Sequence, residues 1–131
     1  MNPVMTAAAI GTGGFAGALM RYYFAAWFRS FAPQSMAFVG TIGVNLLGCL
    51  LIGILTVLEE RRFGLSPFAW RCIIIGVLGS LTTFSTFAIE TLGLLQNRQL
   101  LTAAANVVMN LGPGLLLVWL GMSLTRLALP G

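Results

Sequence analysis

The chain has 131 residues, 58% of them hydrophobic and 8% charged, with a mean hydropathy of +0.95. A soluble domain carries roughly 25% charged residues, so this sequence has too little polar surface to cover a core, and lipid is its expected solvent. All the positive charge is Arg and all the negative charge is Glu59, Glu60 and Glu90; the net +4 comes from a few Arg near segment ends, with no Lys/Arg stripe for nucleic acid.

Crossing about 30 Å of hydrocarbon takes about 20 mostly apolar residues in a helix. The sequence has room for four such helices with short links, so 1–131 reads as a single four-helix membrane domain with no soluble domain beside it. The first span is expected over about 4–28 and carries Gly13 and Gly17 as a GxxxG packing pair. Met1 to Thr6 lack a basic run, so a cleaved signal peptide is not expected. Arg29, Ser30 and Pro33 mark the first turn. The second span runs over about 36–58 and stops at Glu59, Glu60, Arg61 and Arg62, four charges in a row that hydrocarbon does not admit. The third runs over about 68–95 and the fourth over about 100–124, with Arg126 at its end. Trp27, Trp70 and Trp119 fall near span ends, where amphipathic rings favour the interface. The apolar runs are continuous and far too long for the ~10-residue strands of a membrane barrel. Cys49 and Cys72 sit inside apolar runs without CxxC spacing and read as packing residues.

Four spans put both termini on one side. That side has Arg61, Arg62, Arg71 and Arg126; the other has Arg21, Arg29 and Arg98. Four against three barely chooses an orientation under the positive-inside rule. Two readings stay open, a weakly oriented chain with its termini inside and a dual-topology chain whose copies pair antiparallel.

Polar residues inside spans need partners or a wet cavity. Thr41, Asn45 and Gly48 fall at i, i+4 and i+7 on one face of the second helix. Asn106, Asn110 and Gly114 repeat the pattern in the fourth, with Pro113 beside them predicting a kink. Each Asn either bonds helices together or offers amide donors to an anion. The third span carries the densest signal, Gly79-Ser80-Leu81-Thr82-Thr83-Phe84-Ser85-Thr86-Phe87. Gly and β-branched Thr weaken a helix, and a helix broken at mid-membrane offers half-helix ends and carbonyls to ions. An intact helix with hydroxyls bonded back to its own carbonyls is the alternative. Phe84 and Phe87, three apart, present ring edges of positive potential. The sequence has no His, Lys or Asp, and no nucleophile–base pair, metal cluster or phosphate loop, so an enzyme is not expected.

Taken together, these strings resemble the CrcB family, the Fluc fluoride channels. Gly13-Gly14-Phe15-Ala16-Gly17-Ala18 with Arg21-Tyr22 is similar to the family's first-helix signature, Gly40-Thr41 with Val44-Asn45 and Gly48 to its second, and Gly76 to Gly79 with Thr82 to Phe87 to its third. The resemblance implies an antiparallel, dual-topology homodimer in a bacterial inner membrane, with two fluoride pathways. It implies a structural sodium ion (Na+) held by carbonyls of Gly79 and Thr82 of both subunits, oxygen ligands that suit a hard cation. It places Phe84, Phe87, Asn45, Thr41, Ser85 and Thr86 along the pathway and Arg21 near the pore mouth. Where many family members carry Tyr and Ser on the pore face of the fourth helix, this sequence has Asn106 and Asn110, which also donate. The implied function is passive fluoride export that lowers cytoplasmic fluoride toxicity. The competing expectation is a small multidrug-type proton-coupled exporter, whose titrating carboxylate would be Glu90.

Overall fold

The computed structural model describes residues 1–61 and 64–129; Arg62, which the sequence puts in the charged loop after the second span, lies outside them. The described residues form helices and turns with no strand. Helix α1 is Pro3–Arg29, opened by Asn2, whose side chain accepts the Met5 N–H, and by Pro3 in the first turn, where its missing donor costs nothing. Helix α2 is Val39–Glu60. It starts later than the expected residue 36 because Gln34–Met36 winds as a separate 3₁₀ turn after Pro33.

The third span, Pro67–Gln96, is assembled from pieces. Helix α3, Pro67–Trp70, is capped by the Ser66 hydroxyl and leads into a π-helix, Arg71–Leu78, then one turn of α4, Gly79–Leu81. Thr82 and Thr83 are extended, at φ/ψ −84°/155° and −150°/113°, and helix α5 resumes over Phe84–Gln96. The span ends in a Schellman turn: Gln99 N–H donates to Leu94 O at 2.9 Å and Arg98 N–H to Leu95 O at 3.0 Å, with Arg98 at φ 58°. Helix α6, Leu100–Ala128, runs on through Pro113 and past the expected end at 124. The Thr125 hydroxyl donates back to Gly121 O, and Arg126 pairs with Glu60 at 3.3 Å, tying the ends of α2 and α6. Among the described residues, four helices are thus long and apolar enough to cross a membrane.

Glycines set how close these helices come. Gly13 and Gly17 of α1 lie against the Cys72 and Val77 carbonyls of the π-helix, and a methyl built on Gly76 would sit 2.7 Å from Gly13 Cα. The α2–α6 pair closes in the same way, with Gly53 against the Val118 carbonyl and Gly121 against Leu50. Backbones meet because lipid tails supply no hydrophobic push between helices, and van der Waals contact between small residues takes over. The bundle accordingly turns large side chains outward: Phe15, Leu101, Leu115 and Leu127 are exposed, while the core is a small cluster around Val44, Leu78 and Leu81.

Gly17→Ala should therefore destabilise the fold by about 1–3 kcal/mol, the usual cost of overpacking. Gly93→Ala, whose new methyl meets nothing within 4 Å, should stabilise α5 by about 0.5–1 kcal/mol. Thermal unfolding of the two variants in one detergent checks the pair; equal shifts would contradict the close α1–π-helix contact.

Candidate functional site

The face of α2 foreseen from Thr41, Asn45 and Gly48 points at the third span along its length. Thr41 Oγ1 donates to Glu90 Oε1 at 2.9 Å. Gly48 leaves room for the Thr82 methyl, which a Cβ there would strike. Between them, Asn45 pairs with both backbone groups of one residue: Thr83 N–H donates to Asn45 Oδ1 at 2.8 Å, and Asn45 Nδ2 donates to Thr83 O at 3.2 Å. An extended residue usually satisfies its two backbone groups on a neighbouring strand; here a single side-chain amide does both.

The consequence is local and electrostatic. In an unbroken α-helix the Thr83 N–H would bond to the carbonyl four residues back, that of Gly79. Its diversion to Asn45 withdraws that donor from Gly79 and leaves α4 with a carbonyl-bearing C-terminal end. On the other side of the break the Thr83 hydroxyl accepts the Thr86 N–H at 3.3 Å and so caps α5. The same hydroxyl shares hydrogen bonds with Thr86 Oγ1 at 2.9 Å and Ser85 Oγ at 3.4 Å. Two half-helix ends, one rich in carbonyls and one in N–H groups, therefore meet at Thr82–Thr83.

A cavity of about 460 Å³ opens beside them, lined by Asn45, Gly48, Thr82, Thr83, Phe84 and Phe87 among others. The two rings are 5.5 Å apart at their centroids and tilted by 59°, but they differ in setting. Phe87 is 9% exposed, whereas Phe84 is 76% exposed on the surface of the chain, next to exposed Ser85 and Thr86. Gly79 is exposed as well. Arg21 is half-buried on α1 and makes no ion pair among the described residues.

The fourth-helix asparagines join the same network. Asn45 Nδ2 also donates to Asn110 Oδ1 at 3.0 Å; Asn110 Nδ2 donates to Asn106 O at 2.9 Å and Asn106 Oδ1 at 3.1 Å; and Asn106 Nδ2, fully buried, donates to Thr91 Oγ1 at 2.9 Å. The structure thus brings Thr41, Asn45, Thr82, Thr83, Phe84, Phe87, Asn106 and Asn110 to one region. Thr83, Thr91 and Glu90 hold positions in it to which the sequence reading gave no part in the pathway. Thr91 was findable in principle, because it stands one helical turn beyond Phe87 and a buried Asn106 needs a polar partner. Glu90 Oε2 is buried with no hydrogen-bond partner among the described residues.

The arrangement contains no group of three or more His, Cys, Asp or Glu able to hold a metal among the described residues. Its chemistry is that of carbonyls, hydroxyls, amides and ring edges around a break in a helix. Known proteins carry the comparison further. The profile of the family described as "CrcB-like protein, Camphor Resistance (CrcB)" matches residues 8–122. A protein of Stutzerimonas stutzeri named fluoride-specific ion channel FluC is 43% identical over 95% of this chain and 99% of its own length. Proteins of the same name from Pseudomonas putida and Alteromonas mediterranea are 41% and 42% identical, covering 91% and 89% of this chain and 95% and 91% of theirs. A match of this extent runs through all four spans and the whole of the site, and the chain belongs to the CrcB family of membrane proteins.

Proposed function

We propose that the chain forms a fluoride-selective channel through which fluoride passively leaves the cell. The observation that carries this reading is the Thr82–Thr86 segment, where a lapse in the helix gathers hydroxyls and half-helix ends beside Phe84 and Phe87. The relatives named as fluoride-specific channels supply the identity of the ion. They lend nothing to a proton-coupled exporter built on Glu90.

Fluoride gives up its water only to donors of comparable strength. Ser85 and Thr86 hydroxyls, exposed at the start of α5, can donate to it, and Phe84 and Phe87 can turn ring edges toward it. Asn45 and Asn110 each have both amide N–H groups bonded to protein, so either reaches the ion only by exchanging a partner, and Asn106, bonded to Thr91, is fully buried. Such exchange suits conduction, which needs binding weak enough to release the ion. Thr41 and Arg21 belong to the outer course of the pathway, Arg21 as the cation at its mouth. No nucleotide-binding loop is present in the sequence, and a membrane potential negative inside drives an anion outward. The membrane is the inner membrane of a bacterium, where outward leak lowers cytoplasmic fluoride.

The working unit is an antiparallel, dual-topology homodimer. A chain of this size leaves Phe84, Gly79 and Ser85 on its outer surface, so one copy walls a pathway on one side only. The near balance of Arg between the two sides supports insertion in both orientations. A sodium ion fits the donor set at the break, because hard cations take oxygen ligands and the Gly79 carbonyl has lost the Thr83 N–H to Asn45. Gly79 and Thr82 carbonyls would hold it. Bound there, it would supply fixed positive charge that braces the subunits and lowers the cost of nearby anions.

In liposomes loaded with potassium fluoride, the purified protein should release fluoride on addition of valinomycin without matching chloride loss. Phe84→Ile should slow that release about tenfold, the order expected for losing one aromatic contact, while the protein stays folded because the ring is 76% exposed. Absence of fluoride flux from folded protein would remove the channel reading. Gln34→Cys, in a background with Cys49 and Cys72 replaced by Ser, should react with impermeant thiol reagents from both faces of the cell membrane. Labelling from one face alone would rule out dual topology.

A further inference from the structure

The asparagines of α6 do not simply line the site; their hydrogen bonds run in one direction. The order can be read from groups that have no choice. The Asn106 backbone carbonyl only accepts, so Asn110 must turn its NH2 toward it, at 2.9 Å. That rotation fixes Asn110 Oδ1 toward Asn45, which must answer with an N–H, at 3.0 Å. The Thr83 N–H only donates, so Asn45 must give it Oδ1, at 2.8 Å. At the far end, the Thr91 hydroxyl spends its hydrogen on the Phe87 carbonyl at 2.8 Å, and its oxygen is left to accept from Asn106 Nδ2 at 2.9 Å. Asn106 Oδ1 then faces Asn110 at 3.1 Å. Reversing any one amide would set donor against donor or acceptor against acceptor at two or three contacts, and a buried group left unpaired is costly.

We infer that Thr91, Asn106 and Asn110 are positioning residues: they form a directed hydrogen-bond relay that fixes the rotation of the Asn45 amide and, through it, the extended conformation of Thr83. The relay starts on the carbonyl of Phe87 and ends on the peptide at the break, linking both ends of the Phe84–Phe87 segment through α6 and α2. None of the three needs to touch the ion to act. Asn106 is 0% exposed, and Thr91 lies outside the cavity lining. This inference rests on the channel reading for its functional consequence, but the relay itself is a property of the folded chain.

The test replaces Thr91, the anchor. Thr91→Val keeps the shape and removes the hydroxyl; Thr91→Ser keeps the hydroxyl and removes the methyl. Two readouts are taken on each: fluoride efflux from liposomes, and the side-chain amide signals of Asn45 in NMR spectra of protein labelled at Asn, assigned with Asn45→Ala. Thr91→Val should shift the Asn45 amide signals and slow efflux about tenfold, the factor worth one net hydrogen bond. Thr91→Ser should restore both. Adding Thr91→Val to Asn45→Ala should slow efflux no further than Asn45→Ala alone. Should Thr91→Val fail to fold, Asn110→Leu cuts the relay one link from Asn45 and is read in the same two ways. Unmoved Asn45 signals, loss in Thr91→Ser equal to that in Thr91→Val, or additive losses in the double variant would each overturn the relay. Wild-type protein that passes no fluoride, yet whose Asn45 signals follow Thr91 as described, would sink the channel reading and leave the relay standing.

Discussion

The pairing of the Asn45 amide with the Thr83 peptide is the constraint from which the rest of the site follows. One side chain supplies an acceptor at 2.8 Å and a donor at 3.2 Å to a residue that has left the helix. Away from water, an unpaired peptide group costs several kcal/mol, so a two-residue lapse inside a membrane span persists only where something satisfies it. Asn45 does so from a neighbouring helix, at a depth set by α2. Gly48, one turn on, leaves the space that the Thr82 methyl enters. Remove either feature and the cheaper course for Thr82 and Thr83 is to close the turn and return their bonds to the helix.

That constraint depends in turn on helix placement. The α1–π-helix contact through Gly13, Gly17 and Gly76 seats the first half of the third span, while Gly53 and Gly121 hold α6 against α2. The first contact positions the break, and the second positions the asparagines that brace Asn45. A π-helix has a wider turn than an α-helix and is frequent at functional sites. Here it occupies Arg71–Leu78, immediately before the turn that carries the Gly79 carbonyl.

The sequence made four spans and their order legible because lipid imposes a single strong rule, a long apolar run for each crossing. It made the polar face of α2 legible because spacing at i, i+4 and i+7 fixes a face without knowledge of the partner. The start of α2 at Val39 was less legible, since the apolar Met36, Ala37 and Phe38 at and after the 3₁₀ turn run on into the helix without a composition break. The π-helix was not legible at all: Arg71–Leu78 reads as ordinary apolar helix, and its extra residue per turn answers to packing on α1. The pathway candidates came from residue type and resemblance, which name side chains but not their bonds. That is why Asn45, Asn106 and Asn110 stood open between bonding helices together and offering donors to an anion, whereas the structure engages their amides with one another and with Thr83 and Thr91. Thr91 escaped notice because a lone Thr in a helix usually bonds its own preceding turn, and it does that as well.

The surface around the break differs in kind from the rest of the exterior. Elsewhere the large exposed side chains along the spans include Leu, Phe, Val, Ile and Met, which lipid tolerates at no cost. At the start of α5, exposed Ser85 and Thr86 stand beside exposed Gly79, whose carbonyl lacks the Thr83 N–H. Hydrocarbon cannot bond these groups, and each would carry a desolvation cost against it. Water, an ion or a second protein surface can bond them. Phe84 stands in the same place, 76% exposed among these polar groups. The polar break and the exposed ring therefore impose one requirement together: the face that carries them must meet something other than lipid, and whatever meets it completes the site.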